Sequence, residues 1–221
     1  MKLICLSPAE FIHFGTTREL RALMTEEVTD YEFLDWKKHV FTNDLNCQGA
    51  LHTALIGPEA DIEEGTYIED TCLEGRTHVG KGAVVSGLSL KDVHIPANTV
   101  FHGVKLKDEI TELYGGQTGR CVIRTYGVMD NPKKMLEERG SFLRGNLADF
   151  LSANGLAPED IWTGETHALW NAKLYPVCKT FQEAAQAGNL LVKMSEGLAE
   201  PQQIESWKKQ PRLSLEESFR Y

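Results

Sequence analysis

The sequence predicts a mainly β protein: a short left-handed parallel β-helix with a small N-terminal α/β entry and a C-terminal helical segment. Three observations lead there. Residues 62–67 (IEEGTY), 79–84 (VGKGAV) and 95–100 (IPANTV) share one grammar, an apolar leader, a Gly or Asn in a fixed slot, a small residue and a second large one. Their leaders Ile62, Val79 and Ile95 lie 17 (79 − 62) and 16 (95 − 79) residues apart. Weaker hexads led by Ile56, Ile68, Leu73, Val85 and Phe101 fill the intervals. Three six-residue sides would repeat at about 18, so each turn of this coil has lost one or two residues.

Packing and turn chemistry explain the pattern. The leaders point inward and stack on their equivalents about 4.8 Å along the axis. Gly65, Gly82 and Asn98 occupy the corner, where a positive φ is needed. Thr66, Ala83 and Thr99 are small enough to turn inward beside them. A single rung cannot bury its apolar side, and with about three the coil must be capped by other segments. The competing pattern is an antiparallel sandwich with Gly-rich turns, which would scatter Ile62, Val79 and Ile95 over separate hairpins.

Taken in order, residues 1–14 read as two strands around Ser7-Pro8. Thr16 and Glu19 have capping-box spacing, with Leu20, Leu23 and Met24 as the apolar side of the helix that follows. The string GTTR at 15–18 has too few glycines for a phosphate loop, so a plain helix start is preferred. Tyr31, Phe33, Leu34, Trp36, Val40 and Phe41 are expected to plug or begin the coil. Residues 110–114 and 120–126 alternate as exit strands, and 130–132 (DNP) closes the β region.

Beyond Pro132 the period becomes helical. Leu143, Leu147, Phe150 and Leu151 form one stripe, with Gly155 as its C-terminal cap. Pro158 opens a short helix, Thr180 and Glu183 cap another reaching about Glu196, and Pro201 starts a third. Ser214 and Glu217 make a further capping box close to Tyr221. So short a helix is unstable alone, which suggests a longer natural protein. The division expected is 1–46 as entry and coil cap, 47–131 as coil and exit strands, and 132–221 as helical connector.

Composition excludes several classes. A net charge of −9 with no basic run argues against nucleic acid or an anionic membrane as partner. No apolar run approaches the ~20 residues of a membrane span. Cys5, Cys47, Cys72, Cys121 and Cys178 are scattered without a C-x-x-C, as reduced thiols of a cytoplasmic protein would be. Asp92 with His94, and Glu63 with Glu64, lack metal-ligand spacing.

Candidate chemistry is sparse. His78, His94 and His102 lie on or beside the coil, where an imidazole could act as the base of a hexapeptide-repeat acyltransferase. Lys105, Arg120, Arg124, Lys133 and Lys134 could face a phosphate, against the plainer expectation that they pair with Asp108, Glu109, Asp130, Glu137 and Glu138. Trp162, Trp170 and Trp207 read as packing anchors before a sugar platform.

Five segments carry a resemblance: 11–20 (FIHFGTTREL), 95–104 (IPANTVFHGV), 124–133 (RTYGVMDNPK), 169–177 (LWNAKLYPV) and 212–219 (RLSLEESF). In this order the chain resembles the L-fucokinase/GDP-fucose pyrophosphorylase family, whose bifunctional enzymes convert L-fucose to fucose-1-phosphate and then GDP-fucose. The resemblance implies GTP or ATP and Mg as cofactors of the parent enzyme, with none held by this chain. Neither the Gly-rich nucleotide loop nor the kinase phosphate loop is found. The chain is therefore expected to be a non-catalytic scaffold between flanking nucleotidyltransferase and kinase domains, self-associating through the coil if at all. A sugar-nucleotide binding module and the acyltransferase stand as alternatives. Arg124, Lys105 and His102 are the ligand-binding candidates, with no catalytic or metal residue assigned.

Overall fold

The computed structural model describes residues 15–107 and 119–219, so the strands expected at 1–14 and 110–114 lie outside the described residues. Helix α1 (Thr17–Thr25) opens as expected: Thr16 Oγ1 accepts from the Glu19 amide at 3.2 Å, and Glu19 Oε2 accepts from the Thr16 amide at 3.0 Å. A 3₁₀ stretch (Val28–Leu34) and a two-residue strand β1 (His39–Val40) follow.

The coil is built from β2 (Ala50–Ile56), β3 (Asp61–Ile62), β4 (Tyr67–Glu74), β5 (His78–Val79), β6 (Val84–Ser86), β7 (Ser89–Lys91), β8 (His94–Ile95) and β9 (Thr99–Lys105). Strands β1, β2, β4, β6 and β9 stack in parallel as one wall, and β3, β5 and β8 as another, with β7 parallel on β4. The predicted column is present: Ile62 faces Val79, and Val79 faces Ile95. Two more columns run Leu51–Ile68–Val85–Phe101 and Ile56–Leu73–Leu90. All three feed one apolar core. Each fully buried aliphatic there contributes about 1.5–3 kcal/mol, so the stack gains what a lone rung lacks.

The corner slot behaves as its residue types demand. Gly65 and Gly82 sit at φ +68° and Asn98 at +55°. Thr66, Ala83 and Thr99 turn inward and are buried. Thr66 and Thr99 hydroxyls donate to the Glu63 and Pro96 carbonyls, satisfying polar groups that burial would otherwise orphan.

Strand β10 (Cys121–Gly127) ends the coil by pairing antiparallel with β9. A small hairpin of β11 (Ser141–Phe142) and β12 (Gly145–Asn146) precedes α2 (Leu147–Ala153). The helical stripe therefore starts later than its periodicity predicted. Leu143 is at the hairpin turn with φ +52°, because its amide is bound by the buried Asp130 carboxylate at 2.9 Å. The helix begins only where Asn146 Oδ1 caps the Asp149 amide. Gly155 ends it at φ +59° as expected. After a 3₁₀ turn (Pro158–Asp160) come β13 (Tyr175–Pro176), α3 (Phe181–Ser195), α4 (Pro201–Lys208), β14 (Arg212–Leu213), antiparallel to β13, and α5 (Leu215–Phe219).

These helices are not an appendage. Ala184 and Ala185 of α3 enter the coil core, while Val122 and Leu106 enter a second core with Phe142, Trp162, Trp207 and Leu213. Trp162 and Trp207 are anchors, donating from Nε1 to the Ala168 and Leu174 carbonyls.

Of the expectation that residues 28–48 plug or begin the coil, the second half holds, since β1 pairs parallel on β2 through His39 and Val40; the aromatics do not plug it. Phe33 is 66% and Phe41 85% exposed, and Val28 is the residue of the 3₁₀ stretch that is buried. The 3₁₀ stretch is kinked at Tyr31 (φ −112°, ψ +16°), so Val28, Tyr31 and Leu34 do not form one continuous apolar face. Among the described residues no helix is long and apolar enough to cross a membrane.

Candidate functional site

Because the wall keeps its register, residues one repeat apart line up on its outer face. His52 faces Glu69, Glu69 faces Ser86, Ser86 faces His102, and His102 faces Arg124. The result is a polar row across five strands. An apolar row of Ala50, Tyr67, Val84 and Val100 runs beside it and is covered by Leu20 and Met24 of α1.

Glu69 anchors the middle of the row. Its carboxylate accepts from the Tyr67 hydroxyl at 2.7 Å and from Ser86 Oγ at 2.8 Å. Burial and the Glu69 charge hold the Tyr67 phenol far above its usual range. His102 Nδ1 lies 3.4 Å from Arg124 Nη1. Burial, and then the guanidinium, push the His102 imidazole below its usual pKa against the pull of Glu69, which favours the neutral ring. Arg124 itself is 4% exposed; burial lowers its pKa, while Tyr126 and Tyr175 act the other way.

The three sequence candidates divide. His102 and Arg124 are brought together. Lys105 is exposed two strand positions past Gly103, at the edge of a groove of about 620 Å³ with Phe41, Leu55 and Phe181. The expected pairing of the basic residues with acids is not what holds Arg124. Asp130 spends its carboxylate on the Gly127 and Leu143 amides, and Glu138 on the Met135 amide. Arg124 turns instead to α5: Nε donates to Ser218 Oγ at 2.8 Å and Nη2 to the Ser218 carbonyl at 2.7 Å.

His78 and His94 lie on the other wall, away from His102. Their rings stack at 5.0 Å with Nδ1 atoms 3.0 Å apart, and His78 Nε2 is tied to Glu63 at 3.0 Å. An acyltransferase base needs a free imidazole nitrogen facing the substrate. At His78 both nitrogens are engaged, by Glu63 and by His94, whereas His94 and His102 are each engaged through Nδ1. Among the described residues no group of three or more His, Cys, Asp or Glu could hold a metal ion.

Sequence reasoning missed Glu69, Ser86, Tyr175 and Ser218. The first two were legible: 69, 86 and 102 repeat the 17 and 16 spacing of the core. Tyr175 and Ser218 reach the row through tertiary packing and left no such signal.

Fold and row together define a short parallel β-helix protein whose outer wall carries a polar row, with Arg124 at its end covered by α5. The fucose pyrophosphorylase domain family matches residues 1–180, and the chain belongs to that family. No curated protein and no solved structure matches it.

Proposed function

We propose that this chain is the scaffold and interdomain strut of a fucose-salvage enzyme that carries L-fucose through fucose-1-phosphate to GDP-fucose. It contributes rigidity and contact surface and lacks complete chemistry of its own. Family membership supports the pathway. The observation that carries the strut is the shared packing of coil and helices: α3 places Ala184 and Ala185 in the coil core while β10 places Val122 in the helical core. A segment joined this way on both sides transmits position between whatever it connects, since interiors pack at crystal-like density. Flanking nucleotidyltransferase and kinase domains are the partners of this reading, and GTP, ATP and Mg are theirs to bind. The exposed Phe33, Phe41, Leu45 and Leu55 offer apolar contact surface to such a domain or to a second copy.

The test is direct. Incubated with GTP, fucose-1-phosphate and Mg²⁺, the chain is expected to form no GDP-fucose, and formation at an enzymatic rate would overturn the scaffold reading.

A further inference from the structure

Cys121 and Cys178 face each other across the junction of coil and helical segment. The Cys121 amide donates to the Cys178 carbonyl at 2.9 Å, and the Cys178 amide donates to the Cys121 carbonyl at 2.8 Å. This reciprocal exchange defines the hydrogen-bonded pair of an antiparallel arrangement, with Cα atoms about 5.5 Å apart and both side chains on one face. Packing agrees with the register. Cys121 is buried in the coil core, and the half-buried Cys178 packs against that same core, both as free thiols. Cys72 has no such partner, since it faces Leu55 and Ser89.

The spacing suits a disulfide with one adjustment. Bonded cysteines have Cα atoms about 4.4–6.8 Å apart, which this pair meets. Their Cβ atoms must approach to about 3.5–4.5 Å, against about 5.5 Å across a hydrogen-bonded pair, so closure draws the strands together by about 1 Å. The bridge can give by that much because it stands alone, with no ladder continuing it. A bond closed under such tension is of the reducible kind.

We propose that Cys121 and Cys178 are a dithiol modification site, closing to a cross-strand disulfide with a low-molecular-weight disulfide and reopening with the corresponding thiol. Cys178, the more exposed, attacks one sulfur of the oxidant as thiolate and expels the first small thiol. Cys121 then attacks Cys178 Sγ in the mixed disulfide and expels the second. One S–S bond breaks outside the protein and one forms within it; the oxidant takes the electron pair, and the two protons leave on the released thiols. The product fastens the approach to α3 onto β10 and closes a loop of 58 residues (178 − 121 + 1). This chemistry rests on the fold alone and does not depend on the scaffold reading.

The surroundings set its rate. Burial pushes the Cys121 thiol up to about 11, with Glu183 adding to the shift and Arg120 and Lys105 opposing it. Burial, then Cys121 and Glu183, push Cys178 up to about 12, against Arg120. Thiolate is scarce at neutral pH, so closure is slow there and quickens about tenfold per pH unit.

The folded chain is incubated with oxidised glutathione, its remaining thiols are blocked with N-ethylmaleimide, and a tryptic digest is read by mass spectrometry. The expected product joins residues 121–124 (CVIR) to residues 174–179 (LYPVCK). It should form about a hundredfold faster at pH 9 than at pH 7, and disappear under excess reduced glutathione. The oxidised chain should melt about 5–10 °C higher than the reduced one. Cys121→Ser is expected to stop at the mixed disulfide of Cys178 and glutathione, with no such rise. The proposal fails if the linked peptide is absent at both pH values, or if Cys47 or Cys72 joins either cysteine as often. It fails also if the bond persists in excess reduced glutathione. GDP-fucose formation is read separately, so either proposal can fall alone.

Discussion

At residue scale, the corners of the coil show which side chains tolerate their backbone. Thr53, Asp70 and Gly87 occupy equivalent positions on successive rungs, at φ +54°, +45° and +68°. A β-branched residue is the least suited to this region, where an L side chain costs roughly 1–2 kcal/mol. Thr53→Gly is therefore expected to stabilise the chain by up to about 1 kcal/mol, the gain being reduced by the added entropy of an unfolded glycine. A urea midpoint unchanged or lowered would contradict this. Gly188 makes the opposite case. A Cβ there would lie 2.5 Å from Thr125 Oγ1 and 3.1 Å from the Phe101 ring. Gly188→Ala gains about 1 kcal/mol of helix propensity but must relieve overpacking of about 1–3 kcal/mol. A net loss is expected, and adding Thr125→Ala should recover it, because the nearest obstacle is then gone.

At the scale of elements, stacking is what makes short strands stable. Strands β3, β5 and β8 are two residues each, far below a length that could stand alone, and survive because Ile62, Val79 and Ile95 share one shaft. Leu73, fully buried between Ile56 and Leu90, belongs to a neighbouring column. Leu73→Ala should cost about 2–5 kcal/mol by transfer and cavity terms together, and calorimetry would show it as a lowered melting temperature. Helix α5 is a lighter element, five residues long. Ser214→Ala removes a cap worth about 1 kcal/mol. That loss should appear mainly as faster amide exchange at 215–219, with the coil unaffected.

At the scale of the whole molecule, burial of imidazoles couples stability to pH. His94 is held below its usual pKa of 6.5 by burial and then by the neighbouring His78, and His102 by burial and then by Arg124. Glu63 opposes the shift at His94 and Glu69 at His102. The unfolded chain binds these protons more readily than the folded one. Their contribution is thus fully present above about pH 6.5 and is lost as pH falls from there towards the depressed folded values. Melting temperature should drop between pH 7.5 and 5.5, and His102→Gln should flatten part of that slope. A slope unaltered by the substitution would mean His102 does not titrate with unfolding. Because coil and helices exchange core residues, melting is also expected to be a single transition.

The coil was legible in the sequence for a local reason. A repeated packing environment imposes the same residue type every 16 or 17 positions, so Ile62, Val79 and Ile95 and the corner at Gly65, Gly82 and Asn98 announce themselves. Helix starts at Thr16, Thr180 and Ser214 were equally plain, since a cap is decided within four residues. The exposed Phe33 and Phe41 misled, because hydrophobicity alone does not say which surface a side chain meets. Arg124 could be singled out from its neighbours, but not its partner: Ser218 lies 94 residues further on. Only the folding of α5 against β10 brings the Arg124 guanidinium, beside the His102 imidazole, onto Ser218. Such contacts depend on tertiary geometry, which no local period encodes.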